Sequence, residues 1–462
     1  MAAGVPAPER GTGREGNGRE GDAARARLAD QLRDSERAGA DVEAAFRAVP
    51  RHLFLPEMTP ARAYQDEAFA IKYGAGGLPL SSSSQPAIMA IMLEQLGLKP
   101  GHRVLEIGAG TGYNAALIAH ILGDQEAVVT VDIDEQIVGR ARASLAAAGY
   151  GAVRVICADG ALGVAEHAPY DRIIVTVGAW DIAPQWLEQL APGGRIVLPL
   201  SVRGIQLSVA LERSGDHWAS RSAWRCGFIR LAGSLAGPES YVPLGPQPGL
   251  HVYADDGRPL DTGALYAALS GDVTDVPTDL GAADSGELGD LDLWLTITEP
   301  SLIRLTLAGV QSRRARHAPL MPLGGLARTS GTAAEVGIAA VVPARAPRPS
   351  VLREAAGPRE QPAALAAVVR GFGPGGAGLA RYLAHQALAW HQLGRPGAAD
   401  LRLHAYPAEA ELGAGRPAAP AAPAGPAAPA GPAAPAAPAG AAGGKVILER
   451  RHVRLELGWP SA

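Results

Sequence analysis

The sequence has 462 residues, of which 47% are hydrophobic and 19% charged, and its formal net charge is −4. This is the composition of a globular chain, and it gives no electrostatic reason to expect a nucleic acid or an anionic membrane as a partner. Two cysteines, Cys157 and Cys226, are too few for a disulfide framework or a thiolate metal site.

The sequence also offers no metal-ligand spacing among its His, Cys and Asp residues, so we expect no metal. The first segment has no apolar stretch typical of a secretory signal, and no apolar run is long enough to span a bilayer. We therefore expect a soluble, cytoplasmic protein.

The N-terminal half contains the strongest pattern. Residues 1–22 are rich in Gly, Glu and Arg, so we expect them to be disordered, and the apolar spacing from 23 to 48 predicts two short helices. Between 99 and 200, amphipathic stretches alternate with five apolar runs: RVLEIG, VVTVDI, VRVICAD, YDRIIVTV and GRIVLPL. This alternation predicts an α/β fold, a doubly wound parallel sheet flanked by helices, in which Cys157 is buried as a small apolar side chain.

After about residue 245 the pattern changes to that of a second, α+β domain. DLDLWLTITEP (290–300), LIRLTLAG and EVGIAAVVP have the patterns of strands, whereas GLARYLAHQALAWHQLG (378–394) predicts an amphipathic helix. Residues 413–444 are almost entirely Ala, Pro and Gly, so we expect a disordered insertion. The tail beyond it alternates like a strand and is predicted to pair with 399–407. The expected domains are thus 1–22 (disordered), 23–245 (catalytic) and 246–462 (C-terminal extension).

The segment EIGAGTGY, after the first of these apolar runs, identifies the candidate ligand. A phosphate-binding loop would end in Gly-Lys-Ser or Gly-Lys-Thr, and a dinucleotide fold needs G-x-G-x-x-G; neither is present. The spacing E-x-G-x-G-x-G resembles the first motif of S-adenosylmethionine-dependent methyltransferases, whose loop must accept a sulfonium and an amino-acid group against bare backbone. The candidate cofactor-binding residues here are Glu106, Gly108, Ala109, Gly110, Gly112 and Tyr113.

Two acidic residues at later strand ends support the same ligand. Asp132, followed by Ile133, comes about 20 residues after the glycines, where a carboxylate can accept both hydroxyls of an adenosine ribose. Asp159, followed by Gly160, ends the next run and is predicted to meet the adenine edge. Either carboxylate alone is more simply a solvated loop residue. Glu106, Asp132 and Asp159 together, however, favour S-adenosyl-L-methionine as the cofactor.

Residues 46–244 resemble the protein-L-isoaspartate (D-aspartate) O-methyltransferase family. The segments that carry the resemblance are VPRHLFLP, AYQDEAFAI, SQPAIMAIML, VLEIGAGTGYNAALIA, APYDRIIVTVGA, QLAPGGRIVLPL and YVPL (241–244). The resemblance implies methyl transfer to the carboxylate of an isoaspartyl residue in a protein or peptide, giving an ester that collapses to a succinimide. It also implies that Ser84 hydrogen-bonds the reacting carboxylate. A serine before Pro86 also suits a helix cap, and both roles can hold at once because four serines are adjacent.

The chain departs from this family in two places. Ser82, Ser83 and Ser84 stand where the family has Thr-Ile-Ser, so we include all three as candidate catalytic residues. The C-terminal extension resembles that of members associated with lanthipeptides and graspetides, which implies a dedicated precursor peptide as a possible partner. Repair of isoaspartate and tailoring of a chosen peptide aspartate therefore both stay open, and a non-catalytic binding protein is a distant third. His52 is expected to have a packing or hydrogen-bonding role rather than a catalytic one.

Overall fold

The computed structural model describes residues 14–74, 79–238, 240–246, 250–254, 260–283, 285–299, 302–307, 324–328, 337–344, 365–408 and 446–460. The chain forms two compact units. The first contains Met1–Pro199, Ser208–Arg213 and Phe228–Ala236, and the second contains Leu200–Leu207, Ser214–Gly227 and Gly237–Ala462. A single boundary near residue 245 is predicted from the sequence, whereas residues 200–236 alternate between the two units.

The first half of the chain alternates helices and strands. The helices are α1 (Arg14–Asp34), α2 (Ala40–Ala48), α3 (Pro60–Ala63), α4 (Pro86–Leu96), α5 (Tyr113–Leu122), α6 (Glu135–Ala147) and α7 (Pro184–Glu188). The strands are β1 (Phe69–Tyr73), β2 (Pro79–Ser83), β3 (Val104–Ile107), β4 (Val128–Asp132), β5 (Arg154–Cys157), β6 (Tyr170–Val175), β7 (Leu190–Val202) and β8 (Ile205–Ser214). Short 3₁₀ segments occupy Arg51–Phe54, Gly160–Leu162 and Ala165–His167.

The predicted parallel sheet is confirmed. Its strands lie in the order β5-β4-β3-β6-β7, and each neighbouring pair is parallel. β3 is buried at every position, as expected for a central parallel strand covered on both faces. The chain order reverses between β3 and β6, and ligands of such sheets bind at the carboxyl ends of the strands beside this reversal.

Two expectations for this unit are wrong. Helix α1 begins at Arg14, so residues 14–22 are helical rather than disordered, whereas 1–13 lie outside the described residues. The helix continues into a segment in which Ala24, Leu28 and Leu32 are buried, and this packing stabilises helical turns that precede it. Cys157 is exposed rather than buried, because it ends β5, the edge strand of the sheet.

The second half adds β9 (His217–Cys226), β10 (Ser240–Pro243), β11 (Leu250–Ala254), α8 (Thr262–Leu269), β12 (Val273–Ala283), α9 (Ser285–Thr298), β13 (Leu302–Leu307), β14 (Gly324–Arg328), β15 (Gly337–Ala344), β16 (Leu365–Phe372), α10 (Gly376–Gln392), β17 (Arg402–Pro407), β18 (Val446–Glu449) and β19 (Val453–Gly458). Seven of these strands form an antiparallel sheet in the order β10-β11-β13-β14-β15-β16-β12. Four others pair in the order β18-β19-β17-β9.

The structure confirms some predictions for this half and corrects one. The predicted strands that begin at 302 and 335 correspond to β13 and β15, and the predicted helix is α10. The tail strand β19 pairs with β17, as predicted, and the proposed insertion 413–444 lies outside the described residues. The segment 290–300, however, belongs largely to helix α9 rather than to a strand. Residues 291–297 are buried in succession, so burial around the whole helix imitates the pattern of a strand.

None of the described helices is both long enough and apolar enough to cross a membrane. No cluster of three or more His, Cys, Asp or Glu side chains that could hold a metal ion is present among the described residues.

Candidate active site

A cavity in the first unit lies at the carboxyl ends of β3 and β4. The predicted site residues that line it are Ser82, Ser83, Ser84, Glu106, Gly108, Ala109, Gly110, Tyr113, Asp132, Ile133 and Gly160. The structure therefore brings the serine run and most of the predicted cofactor residues to one place. Gly112 and Asp159 do not line this cavity.

The glycine loop connects β3 to α5, and two of its glycines are required by close packing. Gly108 has a φ of 101°, and a Cβ there would lie 2.8 Å from the Thr176 hydroxyl oxygen. Gly112 precedes α5 with a φ of 86°, and a Cβ there would lie 3.0 Å from the Leu145 side chain. Gly112 thus permits helix packing rather than ligand contact, which explains its absence from the cavity wall.

Glu106 lies directly below the loop and is fully buried. Its carboxylate accepts hydrogen bonds from Asn114 Nδ2 at 2.8 Å and from the Thr130 hydroxyl at 2.6 Å. Burial raises the pKa of Glu106 to about 7, and the two hydrogen bonds oppose that shift. The carboxyl group therefore exchanges a proton close to neutral pH while it contributes to the cavity wall.

Asp132 ends β4, as the sequence predicts, and connects this strand to the glycine loop. One carboxylate oxygen accepts from the Gly110 backbone N–H at 3.2 Å, and the other accepts from the Asp134 N–H at the same distance. Burial raises the pKa of Asp132. The carboxylate has lone pairs beyond these two bonds and lines the cavity next to Ile133, whose side chain is 47% exposed.

Asp159 is not positioned as the sequence analysis expected. Its carboxylate accepts from the backbone N–H groups of Ala161 at 3.0 Å and Ser234 at 2.8 Å. It therefore caps a 3₁₀ turn and ties a later loop to it, which accounts for an acidic residue at this strand end. Gly160 does line the cavity, and a Cβ there would lie 2.6 Å from the Ile107 side chain.

The serine run forms the end of β2 and the residue after it. Helix α4 begins at Pro86 with Gln85 as its N-cap residue, but the Gln85 side chain makes no capping hydrogen bond. Instead Asp66 accepts from the Ala87 N–H at 2.8 Å and from Gln85 Nε2 at 3.1 Å. The alternative role of Ser84 as a helix cap is therefore wrong, and the serines remain available to face a substrate.

Sequence reasoning missed several residues of the cavity. Lys72, on β1, forms an ion pair with Asp134 and also donates to Gln136 Oε1 at 2.9 Å. Asp134 caps α6, a role that the sequence DEQIV could have indicated, since Asp is a favoured N-cap residue. Phe228 and Arg230 also line the cavity, and no motif singled them out.

His52 has the packing role that was expected. Its Nδ1 lies 2.9 Å from the Tyr64 hydroxyl oxygen, and burial lowers its pKa. It does not line the cavity.

Comparison with known proteins covers the same part of the chain. Residues 23–236 match the family model described as protein-L-isoaspartate (D-aspartate) O-methyltransferase, a region that ends before the YVPL segment at 241–244. The chain is 40% identical over 210 residues to protein-L-isoaspartate O-methyltransferase 2 of Archaeoglobus fulgidus, covering 46% of this chain and 92% of that protein. It is also 40% identical over 194 residues to the enzyme of Methanopyrus kandleri, covering 42% and 83% of the two chains.

A solved structure of a protein-L-isoaspartate O-methyltransferase is similar at 21% sequence identity with a TM-score of 0.44, covering 82% of this chain and 96% of that one.

The parallel sheet, the E-x-G-x-G-x-G loop after its central strand and the carboxylate at the end of the next strand define a methyltransferase whose cofactor is S-adenosylmethionine. The bare backbone of the loop and the remaining lone pairs of Asp132 fit a nucleoside that carries no pyrophosphate. The chain belongs to the protein-L-isoaspartate (D-aspartate) O-methyltransferase family.

Proposed function

We propose that the chain methylates the free carboxylate of L-isoaspartyl residues in proteins and peptides, with S-adenosylmethionine as methyl donor. The observation that carries this proposal is that the serine run lines the same cavity as the glycine loop and Asp132. The glycine loop and Asp132 offer groups suited to an amino acid and a ribose, and the serine run offers hydroxyl groups suited to a carboxylate.

The residues proposed to bind the cofactor are assigned from their hydrogen-bonding capacity. Asp132 would accept the ribose hydroxyls, since its carboxylate is half-buried and already fixed by two backbone N–H groups. The backbone around Gly108 and Gly110 would accommodate the amino-acid portion, and Glu106 would stabilise this end of the cavity. We do not extend the adenine role to Asp159, because its carboxylate is directed to backbone groups of the first unit.

The chemistry requires little proton transfer from the protein. When bound, S-adenosylmethionine supplies an electrophilic methyl group on a sulfonium. A substrate carboxylate has an ordinary pKa near ~4, so it is ionised at neutral pH and needs no general base. The protein's contribution is to hold that carboxylate in line and to exclude water. The ester formed is then attacked by the next backbone nitrogen of the substrate, which gives a succinimide and releases methanol.

Ser82, Ser83 and Ser84 are proposed to orient the substrate carboxylate. Ser83 is 4% exposed, and all three serines line the cavity. Ser84→Ala should lower kcat/KM for peptide about 10- to 100-fold, the cost of one hydrogen bond to a charged group, and leave the affinity for S-adenosylhomocysteine nearly unchanged. An equal loss of both would contradict a role on the substrate side.

The direct test compares two synthetic peptides that differ only in one linkage. One carries an L-isoaspartyl residue, and its twin carries a normal aspartyl residue at the same position. The proposal expects kcat/KM to favour the isoaspartyl peptide, measured as transfer of a labelled methyl group. A preference for the aspartyl twin would favour tailoring of a chosen aspartate instead.

The second unit, most of which lies beyond the matched residues 23–236, gives a reason to keep the tailoring alternative. The second unit has its own hydrophobic clusters, and it exposes Trp224 (49%) and Ile447 (52%). We propose that this unit binds part of a protein or precursor peptide. Trp224→Ala should then lower kcat/KM on a protein aged to accumulate isoaspartate more than on a short isoaspartyl peptide, because remote contacts exist only with the larger substrate. Equal effects on both substrates would assign the unit a structural role.

A further inference from the structure

Arg51 is the largest charged side chain that is completely buried in the first unit. It begins the 3₁₀ segment Arg51–Phe54 and belongs to the quoted VPRHLFLP segment. Its ring contacts are Phe69 and Tyr113, whose centroids lie 5.5 Å and 5.7 Å from the guanidinium carbon. Burial of an arginine costs free energy unless its charge is paired or hydrogen-bonded, so the groups around Arg51 are informative.

The hydrogen bonds of Arg51 go to the serine run and to the loop between α3 and β1. Nη2 donates to the Ser84 carbonyl oxygen at 2.9 Å and reaches the Ser83 hydroxyl oxygen at 3.4 Å, the long end of the range. Nη1 donates to the carbonyl oxygen of Gln65 at 3.2 Å, and Nη2 also donates to that of Glu67 at 3.3 Å, so the two N–H groups of Nη2 are shared among three acceptors. Its Nε has no partner in the described part of the chain.

No carboxylate forms an ion pair with Arg51 among the described residues. Asp66 acts on it only at longer range, and its oxygens are occupied by Gln85 and Ala87. Burial lowers the pKa of Arg51 to about 10, so the group remains protonated at neutral pH. The charged guanidinium of Arg51 therefore lies against the serine run, and its hydrogen bonds among the described residues all go to uncharged oxygen atoms.

The direction of the Ser83 bond decides what the hydroxyl can do. An arginine N–H only donates, so it occupies an acceptor position of the Ser83 oxygen and leaves the O–H to donate elsewhere. Ser83 lines the cavity. An ionised carboxylate oxygen accepts such a hydrogen bond more strongly than the carbonyl oxygen of a neutral amide, so a donating hydroxyl beside a buried positive charge favours the carboxylate.

We infer that Arg51 is a positioning residue that fixes Ser83 and Ser84. The Ser83 hydroxyl then donates to the substrate carboxylate, and the buried charge of Arg51 favours this negatively charged group over a neutral one. This inference rests on the proposed function, since it takes the carboxylate of that reaction as the ligand. It assigns Ser83, as well as Ser84, a role toward the substrate carboxylate.

The test compares Arg51→Met with Arg62→Met. Arg62 also lies over the Phe69 ring, at 4.9 Å, but is paired with exposed Glu67 and makes no contact with the serine run. The readouts are the KM and kcat for the isoaspartyl peptide, the Kd for S-adenosylhomocysteine, and the Kd ratio between that peptide and its neutral isoasparagine analogue.

Arg51→Met should raise KM and reduce the carboxylate-over-amide preference, each about 10- to 100-fold, with little change in cofactor affinity. Arg51→Lys should recover part of the preference, because it restores the charge, and Arg62→Met should change none of these values. A loss of carboxylate and amide binding in equal proportion would mean that Arg51 is merely structural and would overturn the inference.

If Arg51→Met does not fold, Ser83→Ala decides the question. That variant retains the arginine and removes the hydroxyl, and it should lower the same carboxylate-over-amide preference. An unchanged preference would overturn the inference. The binding comparison needs no turnover, so failure of the wild-type protein to methylate the isoaspartyl peptide would contradict the proposed function without deciding the role of Arg51.

Discussion

Thr130, on β4, donates its hydroxyl proton to the carboxylate of Glu106, on β3, over 2.6 Å, and both residues are completely buried. The two strands are parallel neighbours in which Glu106 lies opposite Thr130. Thr130 and Asn114 both donate to the Glu106 carboxylate, but these two hydrogen bonds do not replace the hydration that burial removes. The raised pKa of Glu106 follows from that balance.

This shift predicts a pH dependence of folding without cofactor. The folded-state pKa of Glu106 is about 7 against an ordinary value of 4.5, so the folded protein binds more protons between these values. The contribution of this group to stability is therefore full below pH ~4.5 and is lost as the pH rises through about 7, by on the order of 3 kcal/mol. Glu106→Gln should unfold at higher denaturant concentration than the wild type at pH 8.

Below pH 5 the difference between Glu106→Gln and the wild type should nearly vanish. Exposed Glu126 provides the control, since Glu126→Gln should leave the pH profile of unfolding unchanged. A Glu106→Gln variant that is less stable than the wild type at pH 8 would show that the ionised carboxylate is not destabilising.

Alanine substitutions at Gly108 and Gly123 distinguish the energetic cost of backbone strain from that of a steric clash. Both have positive φ, 101° and 68°, but a Cβ at Gly123 meets no atom within 4 Å, whereas one at Gly108 meets Thr176 and Val177. Gly123→Ala should cost about 1 kcal/mol from strain alone. Gly108→Ala should cost a further ~1–3 kcal/mol from overpacking. Denaturant unfolding of the two variants checks this order, and equal stabilities would contradict the packing role of Gly108.

Asp132 should contribute strongly to cofactor affinity. Asp132→Ala removes a charged acceptor, so the Kd for S-adenosylhomocysteine should rise about 10- to 100-fold, or ~1.5–3 kcal/mol. Asp216, whose side chain is 89% exposed, gives the control Asp216→Ala. Calorimetry that finds the same Kd for Asp132→Ala and the wild type would remove Asp132 from the site.

The tail strand β19 should be necessary for stability of the second unit. Val453, Leu455 and Leu457 are buried, and the strand is paired to β17 over its whole length. Leu455→Ala should cost about 2–5 kcal/mol, whereas Ile447→Ala, at a site 52% exposed on β18, should cost little. Replacement of 413–444 by a short linker should leave the melting temperature unchanged. A melting temperature of Leu455→Ala equal to that of Ile447→Ala would contradict this account of the tail.

The features that sequence predicted correctly depend on local chemistry. The glycine loop requires positive φ and close approach, so its residue types are restricted, and Asp132 follows from the end of an apolar strand. The β17–β19 pairing followed from matched alternation in two segments. Each of these patterns is visible within a few residues of its own position.

The features that were missed depend on contacts between distant segments. Asp66 caps α4 from 21 residues away, so the serines before that helix were given a role that another side chain performs. Arg51 reaches Ser84 across 33 positions. Burial on every side of α9 obscured its helical period, and the edge position of β5 exposed Cys157. None of these relations has a signal in its own segment.

The central claim is that this cavity transfers a methyl group to an isoaspartyl carboxylate. The most direct measurement is mass spectrometry of a peptide with one isoaspartyl residue and no other carboxylate, incubated with the protein and S-adenosylmethionine. We expect a product that is heavier by one CH2 group, as a methyl ester on that residue, followed by its conversion to succinimide with loss of methanol. An unmodified peptide, under conditions in which calorimetry shows the cofactor product bound, would contradict it.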